Sequence, residues 1–167
     1  MATGRLSAAI LLAAAVTLAC MHTAATARAE GAAWNGRYTL VTYASQKAGT
    51  SAAARQREPD FSAQYVFATS CSGTKCTAAV VDGPASKNPT VPVQQRYTWD
   101  GTQWRFVYDW VWDCFLGDGA QKQWSPARSW VFYAPQPDGS LDGTWHTDIS
   151  DGACRGSVIM PIAAYPA

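Results

Sequence analysis

The stretch "WRFVYDWVWDC", Trp104 to Cys114, decides the fold. On a β-strand successive side chains point to opposite faces. One face then carries Trp104, Phe106, Tyr108, Trp110 and Trp112. The other carries Arg105, Val107, Asp109, Val111 and Asp113. Five aromatics left in water would form a patch well beyond the roughly 400 Å² that soluble proteins carry without a function. The stripe therefore reads as the wall of a core, ending at Cys114, with Asp109 and Asp113 on a solvated face. The competing reading is a ligand-facing platform, with Trp104, Tyr108, Trp110, Trp112 and Trp145 as candidate contacts. Eleven residues exceed the usual strand length of about 5–6. On the ligand-platform reading, a bulge near Tyr108-Asp109 would re-aim half the stripe.

Outward from this strand the chain alternates short aromatic and β-branched runs with turn residues. Asp-Gly occurs six times, at Asp82-Gly83, Asp100-Gly101, Asp118-Gly119, Asp138-Gly139, Asp142-Gly143 and Asp151-Gly152. Each pair is a candidate reversal, because glycine accepts positive φ and Asp bonds the following backbone. Eight strands are expected, at about Gly36–Tyr43, Ser62–Ser70, Thr77–Asp82, Val93–Trp99, Gln103–Asp113, Arg128–Ala134, Leu141–Ile149 and Gly156–Ala163. The clearest hairpin joins Tyr97-Thr98-Trp99 to Trp104-Arg105-Phe106. Ser51 is placed to cap a short helix over 51–57 that Pro59 would stop, with an irregular loop as the alternative. Gly83–Pro92, with Pro84, Pro89 and Pro92, reads as an ordered surface crossover. The fold class is all-β, a single antiparallel barrel or two-sheet sandwich. Sequential turns favour an up-and-down meander, and closure would remove exposed edges.

The first thirty residues read as a targeting segment. Arg5 supplies positive charge, Ala8–Ala19 is apolar but shorter than the roughly 20 residues that span a bilayer, and Ala27-Arg28-Ala29 offers a cleavage site. Residues 1–29 are thus read as a signal peptide and 30–167 as one secreted β domain. A rival route is lipidation of Cys20, since Thr17-Leu18-Ala19-Cys20 loosely matches a lipoprotein box. Either route removes Cys20 and leaves Cys71, Cys76, Cys114 and Cys154. An even count in an exported chain reads as two disulfides. Of the three connectivities, Cys71–Cys76 is favoured because CSGTKC is a compact turn. That leaves Cys114–Cys154.

Removing Arg5 and Arg28 from thirteen basic residues leaves eleven against twelve acidic ones. No basic stripe stands out, which argues against nucleic acid as a partner. The sequence after residue 30 holds no transmembrane candidate. Catalytic signatures are equally thin. His146 is the one histidine after the leader, and Asp148 with a serine such as Ser129 would be needed to make it a hydrolase centre. One histidine is a poor metal set, and no zinc spacing or cofactor fingerprint is present. No catalytic residue, metal or cofactor is assigned. Asp109 and Asp113 would serve glycoside chemistry only across a cleft.

The runs "YTWDGTQWRFVYDWVWDC", "KAGTSAAARQREPDF", CSGTKC and "GACRG" resemble a group of small exported proteins of mycobacteria and their actinobacterial relatives. They also resemble extracellular portions of some actinobacterial membrane proteins. The resemblance implies export and cystines and carries over no active-site residue. Trp34-Asn35-Gly36-Arg37-Tyr38 is similar to the Gly-x-Trp opening motif of lipocalin-like barrels. The expected function is an exported, non-enzymatic β domain that binds a small apolar ligand at a barrel mouth, or a cell-envelope protein. The alternatives are a carbohydrate-binding module using exposed tryptophans and a small hydrolase using His146.

Overall fold

The computed structural model describes residues 33–167. The leader, its cleavage site and Cys20 lie outside the described residues. The strands are β1 Gly36–Thr42, β2 Phe61–Ser72, β3 Lys75–Asp82, β4 Arg96–Trp99, β5 Trp104–Cys114, β6 Gln123–Pro135, β7 Leu141–Ile149 and β8 Gly156–Pro166. They form a closed barrel in chain order, and β1 pairs antiparallel with β8 to complete it. The meander and the closure are those the turn spacing favours.

Several boundaries move, each for a local reason. β6 starts at Gln123 rather than near Arg128. The strand runs through Pro126, whose carbonyl faces away from β5 and accepts from the Ser150 N–H at 2.9 Å. Its missing N–H lies on that same side, so the β5–β6 ladder loses nothing. β4 starts at Arg96 rather than Val93. The β5–β6 register runs unbroken from Trp104↔Tyr133 to Cys114↔Gln123, so no bulge near Tyr108-Asp109 re-aims the stripe. An irregularity occurs instead in β2, between Val66 and Phe67. Asp142-Gly143 is not a reversal but lies within β7. A Cβ on Gly143 would sit on the Phe132 carbonyl oxygen of β6, so this strand position needs glycine for close backbone approach.

Two core clusters fill the barrel. The first contains Trp34, Phe67, Tyr97, Trp104, Phe106, Tyr108 and Tyr133. Trp34 precedes β1 and plugs that end, stacked on Phe67 at 3.9 Å and 5.1 Å from both Tyr97 and Tyr133. Its backbone N–H donates to Thr69 Oγ1 at 2.9 Å, and Thr69 Oγ1 donates back to its carbonyl at 2.8 Å. The second cluster closes the opposite end with Ala53, Ala54, Cys114, Ile149, Cys154, Val158 and Met160. The helix expected over 51–57 is a 3₁₀ turn, Ala52–Arg55. Ser51 caps it by accepting from the Ala53 N–H at 3.1 Å, and its hydroxyl donates to the Cys154 carbonyl at 2.6 Å. Cys114 is bonded to Cys154, and Cys71 to Cys76 across the β2–β3 hairpin.

Candidate functional site

Closure places every inward side chain of β5 in one column along the barrel. Phe106 and Tyr108 stack at 4.7 Å, Tyr108 and Trp110 lie 6.2 Å apart, and Trp110 and Trp112 lie 5.4 Å apart. Exposure changes along the column: Trp104 is 0% exposed and Tyr108 8%, while Trp110 and Trp112 are only half-buried. The stripe is thus core wall at one end and partly open at the other. Burial pushes the Tyr108 phenol up to about 12, so it stays a neutral hydroxyl in any physiological medium. Trp145 is inward on β7 and half-buried, and its indole N–H has no hydrogen-bond partner among the described residues.

A buried polar seam fixes Trp110. Its indole N–H donates to Ser129 Oγ at 2.8 Å, and Ser129 Oγ lies 2.8 Å from Thr147 Oγ1. Ser129 and Thr147 are fully buried, so the indole has a set orientation. Trp112 has no such anchor among the described residues.

The strand ladder is incomplete beside these two rings. β4 pairs with β5 only at Trp104 and Arg105. Beyond that point the proline-rich segment 83–95 lies along the free edge of β5. Asn88 Nδ2 donates to the Val111 carbonyl at 2.8 Å, and the Val111 N–H donates to Thr90 Oγ1 at 3.0 Å. Asn88 Oδ1 also accepts from the Thr90 N–H and hydroxyl, at 3.0 and 2.6 Å. Side chains thus stand in for a strand along this strap. Val91 of the strap packs against the first core cluster, as do Leu40, Tyr65 and Val80, all half-buried like Trp110. Sequence reading found the crossover but not its bonding, because one Asn and one Thr in a loop carry no periodic signal.

The remaining candidates do not converge. Ser129 pairs across β6 and β7 with Thr147, whereas His146 pairs with Trp130 on the outer face. The wall of the barrel therefore separates Ser129 from His146, which corrects their combination as a hydrolase pair. His146 Nε2 lies 2.8 Å from Asp148 Oδ1, its ring 5.4 Å from that of Trp130. Asp109 holds Arg128 through two bonds of 2.7 Å, and Asp113 accepts from Lys122 at 2.6 Å. The hydrogen bonds from the Arg128 guanidinium hold the Asp109 carboxyl below its ordinary range. Both aspartates are spent on outer-face ion pairs. Among the described residues no cluster of three His, Cys, Asp or Glu side chains is placed to hold a metal ion, and no helix is long and apolar enough to cross a membrane.

The outer face holds a second aromatic feature. Cross-strand pairing sets Val107 beside Trp130, Trp130 beside His146 and His146 beside Ile159. Phe132 lies in the next row with the Arg105 guanidinium 5.6 Å from its ring centre. Val107 and Ile159 are 41% and 38% exposed, which makes a mixed apolar and charged belt on β5–β8.

Comparison with solved structures places this barrel beside known domains. A structure of the monomer form of the M. tuberculosis PknI sensor domain is similar with a TM-score of 0.58 and 20% identity, covering 81% of this chain and 88% of that one. A structure of the dimer form of the same M. tuberculosis domain gives a TM-score of 0.50 at 25% identity, covering 65% of this chain and 73% of that one. No curated protein sequence matches. The family model for the PknI serine/threonine-protein kinase sensor domain matches residues 31–166, almost the whole described barrel. The resemblance to exported mycobacterial proteins thereby becomes specific, and the chain belongs to the PknI serine/threonine-protein kinase sensor domain family.

Proposed function

We propose that this chain is an exported recognition domain that takes a small apolar or ring-bearing ligand at the β4–β5 seam, on Trp110 and Trp112. The observation that carries this reading is the exposure gradient along β5. The same stripe that is sealed at Trp104 is half-open at Trp110 and Trp112, where the barrel wall is a strap rather than a strand. Half-wet aromatic rings, with Trp110 fixed by its bond to Ser129, offer large contact area at low entropic cost. Membership in a sensor-domain family agrees with a non-catalytic binding role. Two cystines fit an oxidising, extracellular location, and a signal peptide over 1–29 would deliver the chain there.

The test uses N-phenyl-1-naphthylamine, a neutral apolar fluorophore, titrated into wild type, Trp112→Ala and Trp130→Ala. Saturable binding that weakens by about tenfold, or 1.4 kcal/mol, in Trp112→Ala but not in Trp130→Ala supports the seam. Binding that is absent from wild type, or equal in all three, contradicts it.

The outer belt of Val107, Trp130, Phe132 and Ile159 favours a second reading, docking of a cell-envelope protein or a second copy. The existence of a dimer form of the M. tuberculosis PknI sensor domain makes a second copy the partner to examine first. Trp130→Ala would then lower self-association in sedimentation while leaving fluorophore binding intact.

A further inference from the structure

A surface depression of about 500 Å³ opens beside the 3₁₀ turn, away from the aromatic seam. Its size falls within the roughly 300–1,000 Å³ of small-molecule sites. Ala54 and Pro59 contribute apolar wall, and the charged lining is Lys47, Arg55, Arg57 and Glu58. Three cations thus face one carboxylate.

Their pairing leaves positive charge to spare. The Lys47 side chain is only 7% exposed, and its ammonium donates to Glu58 Oε2 at 2.7 Å. Glu58 is 48% exposed, so the buried ammonium is reached from the solvent side by a carboxylate that water can replace. Arg55 makes one long contact of 3.4 Å, to the Thr50 carbonyl, and Arg57 makes no ion pair among the described residues. Asp60, outside the lining, accepts from the N–H of the lining residue Ser45 at 2.8 Å. Guanidinium forks match planar and tetrahedral oxyanions, and a concave wall focuses their field.

We infer that this depression is an oxyanion site, separate from the apolar seam, that takes the carboxylate or phosphate of a small ligand on Arg55, Arg57 and Lys47. Glu58 occupies the place of the ligand's oxyanion when the site is free. Carboxylate and phosphate share this chemistry, and the source is for the titration to decide. This inference does not depend on the seam binding anything.

The experiment is an amide chemical-shift titration with inorganic phosphate and, separately, glutarate, with sodium chloride as the control. It uses wild type, the Arg55→Gln/Arg57→Gln double variant and Glu58→Gln. Saturable shifts confined to residues 45–59 with one of the two probes are expected, and the probe that binds more tightly identifies the source. The double variant should weaken that binding by about tenfold, as loss of charge-assisted bonds requires. Glu58→Gln should tighten it by about threefold or more, since it removes the internal competitor. Tightening separates the proposal from simple loss of fold. Shifts that do not saturate with either probe, that chloride reproduces, or that persist in the double variant would overturn it, as would weaker binding in Glu58→Gln.

Discussion

Trp104 and Trp112 sit on the same face of the same strand, yet the structure gives them different work. Trp104 is sealed beneath Trp34 and Trp99, 6.2 and 5.3 Å away, whereas Trp112 is half-buried with one ring neighbour at 5.4 Å. Trp104→Ala should cost about 3–5 kcal/mol, as truncation of a fully buried aromatic does, out of a total of about 5–15 kcal/mol for a domain. Thermal unfolding should show a large drop in Tm for Trp104→Ala and a clearly smaller one for Trp112→Ala. Asp109→Ala should melt close to wild type, because the Asp109–Arg128 pair is solvated on the outer face. Equal drops for the two tryptophan variants would mean that the gradient has no energetic counterpart. Parity alone identified the inward face from sequence, since a two-residue period is insensitive to what lies opposite. It could not tell Trp104 from Trp112. That difference arises from Trp34, seventy residues upstream, and from a missing stretch of β4.

At the scale of elements, turns and straps decide where the barrel is firm. The β4–β5 hairpin is held by Asp100. Slight burial raises its carboxyl pKa, but four hydrogen bonds from Thr102 and Gln103 outweigh this and hold it below the ordinary value of 3.8. Gly101, at φ 108°, supplies the left-handed turn. A folded-state pKa below the unfolded one gives stability that is present above 3.8 and lost as pH falls through the lowered folded value. The Tm gap between wild type and Asp100→Asn should therefore be open near neutral pH and close as the carboxyl protonates. A gap that widens on acidification would contradict this sign. The strap makes an independent prediction. Asn88→Ala with Thr90→Ala removes both partners of the Val111 backbone, so exchange of the Val111 amide should accelerate while amides in the β6–β7 ladder keep their protection. The Asp-Gly pairs marked most reversals from sequence, because positive φ is a local demand. Asp142-Gly143 misled because its glycine answers a non-local one, the approach of Phe132.

For the whole molecule, closure of eight sequential strands pairs the first strand with the last and leaves only partial stretches of edge, among them the part of β5 guarded by the strap, and two cystines tie the hairpin and the far end. Losing Cys114–Cys154 opens a loop closed over 40 residues, which loop-closure entropy values at about 4 kcal/mol. Cys114→Ser/Cys154→Ser should unfold at much lower denaturant, while loss of the short Cys71–Cys76 link should matter less. The fold class was legible because aromatic alternation and turn spacing are statements about the backbone. The site was legible only as five candidate aromatics, because which of them meets solvent depends on how far β4 extends and where the Pro-rich segment lies. On the proposed reading an apolar ligand meets the open end of the β5 column and nothing else. A ¹⁵N–¹H spectrum of the tryptophan indoles, recorded with and without N-phenyl-1-naphthylamine, tests it directly. Shifts are expected for Trp110 and Trp112 and none for Trp34, Trp104 or Trp130. Shifts centred on Trp130, or an unchanged spectrum at saturating fluorophore, would contradict it.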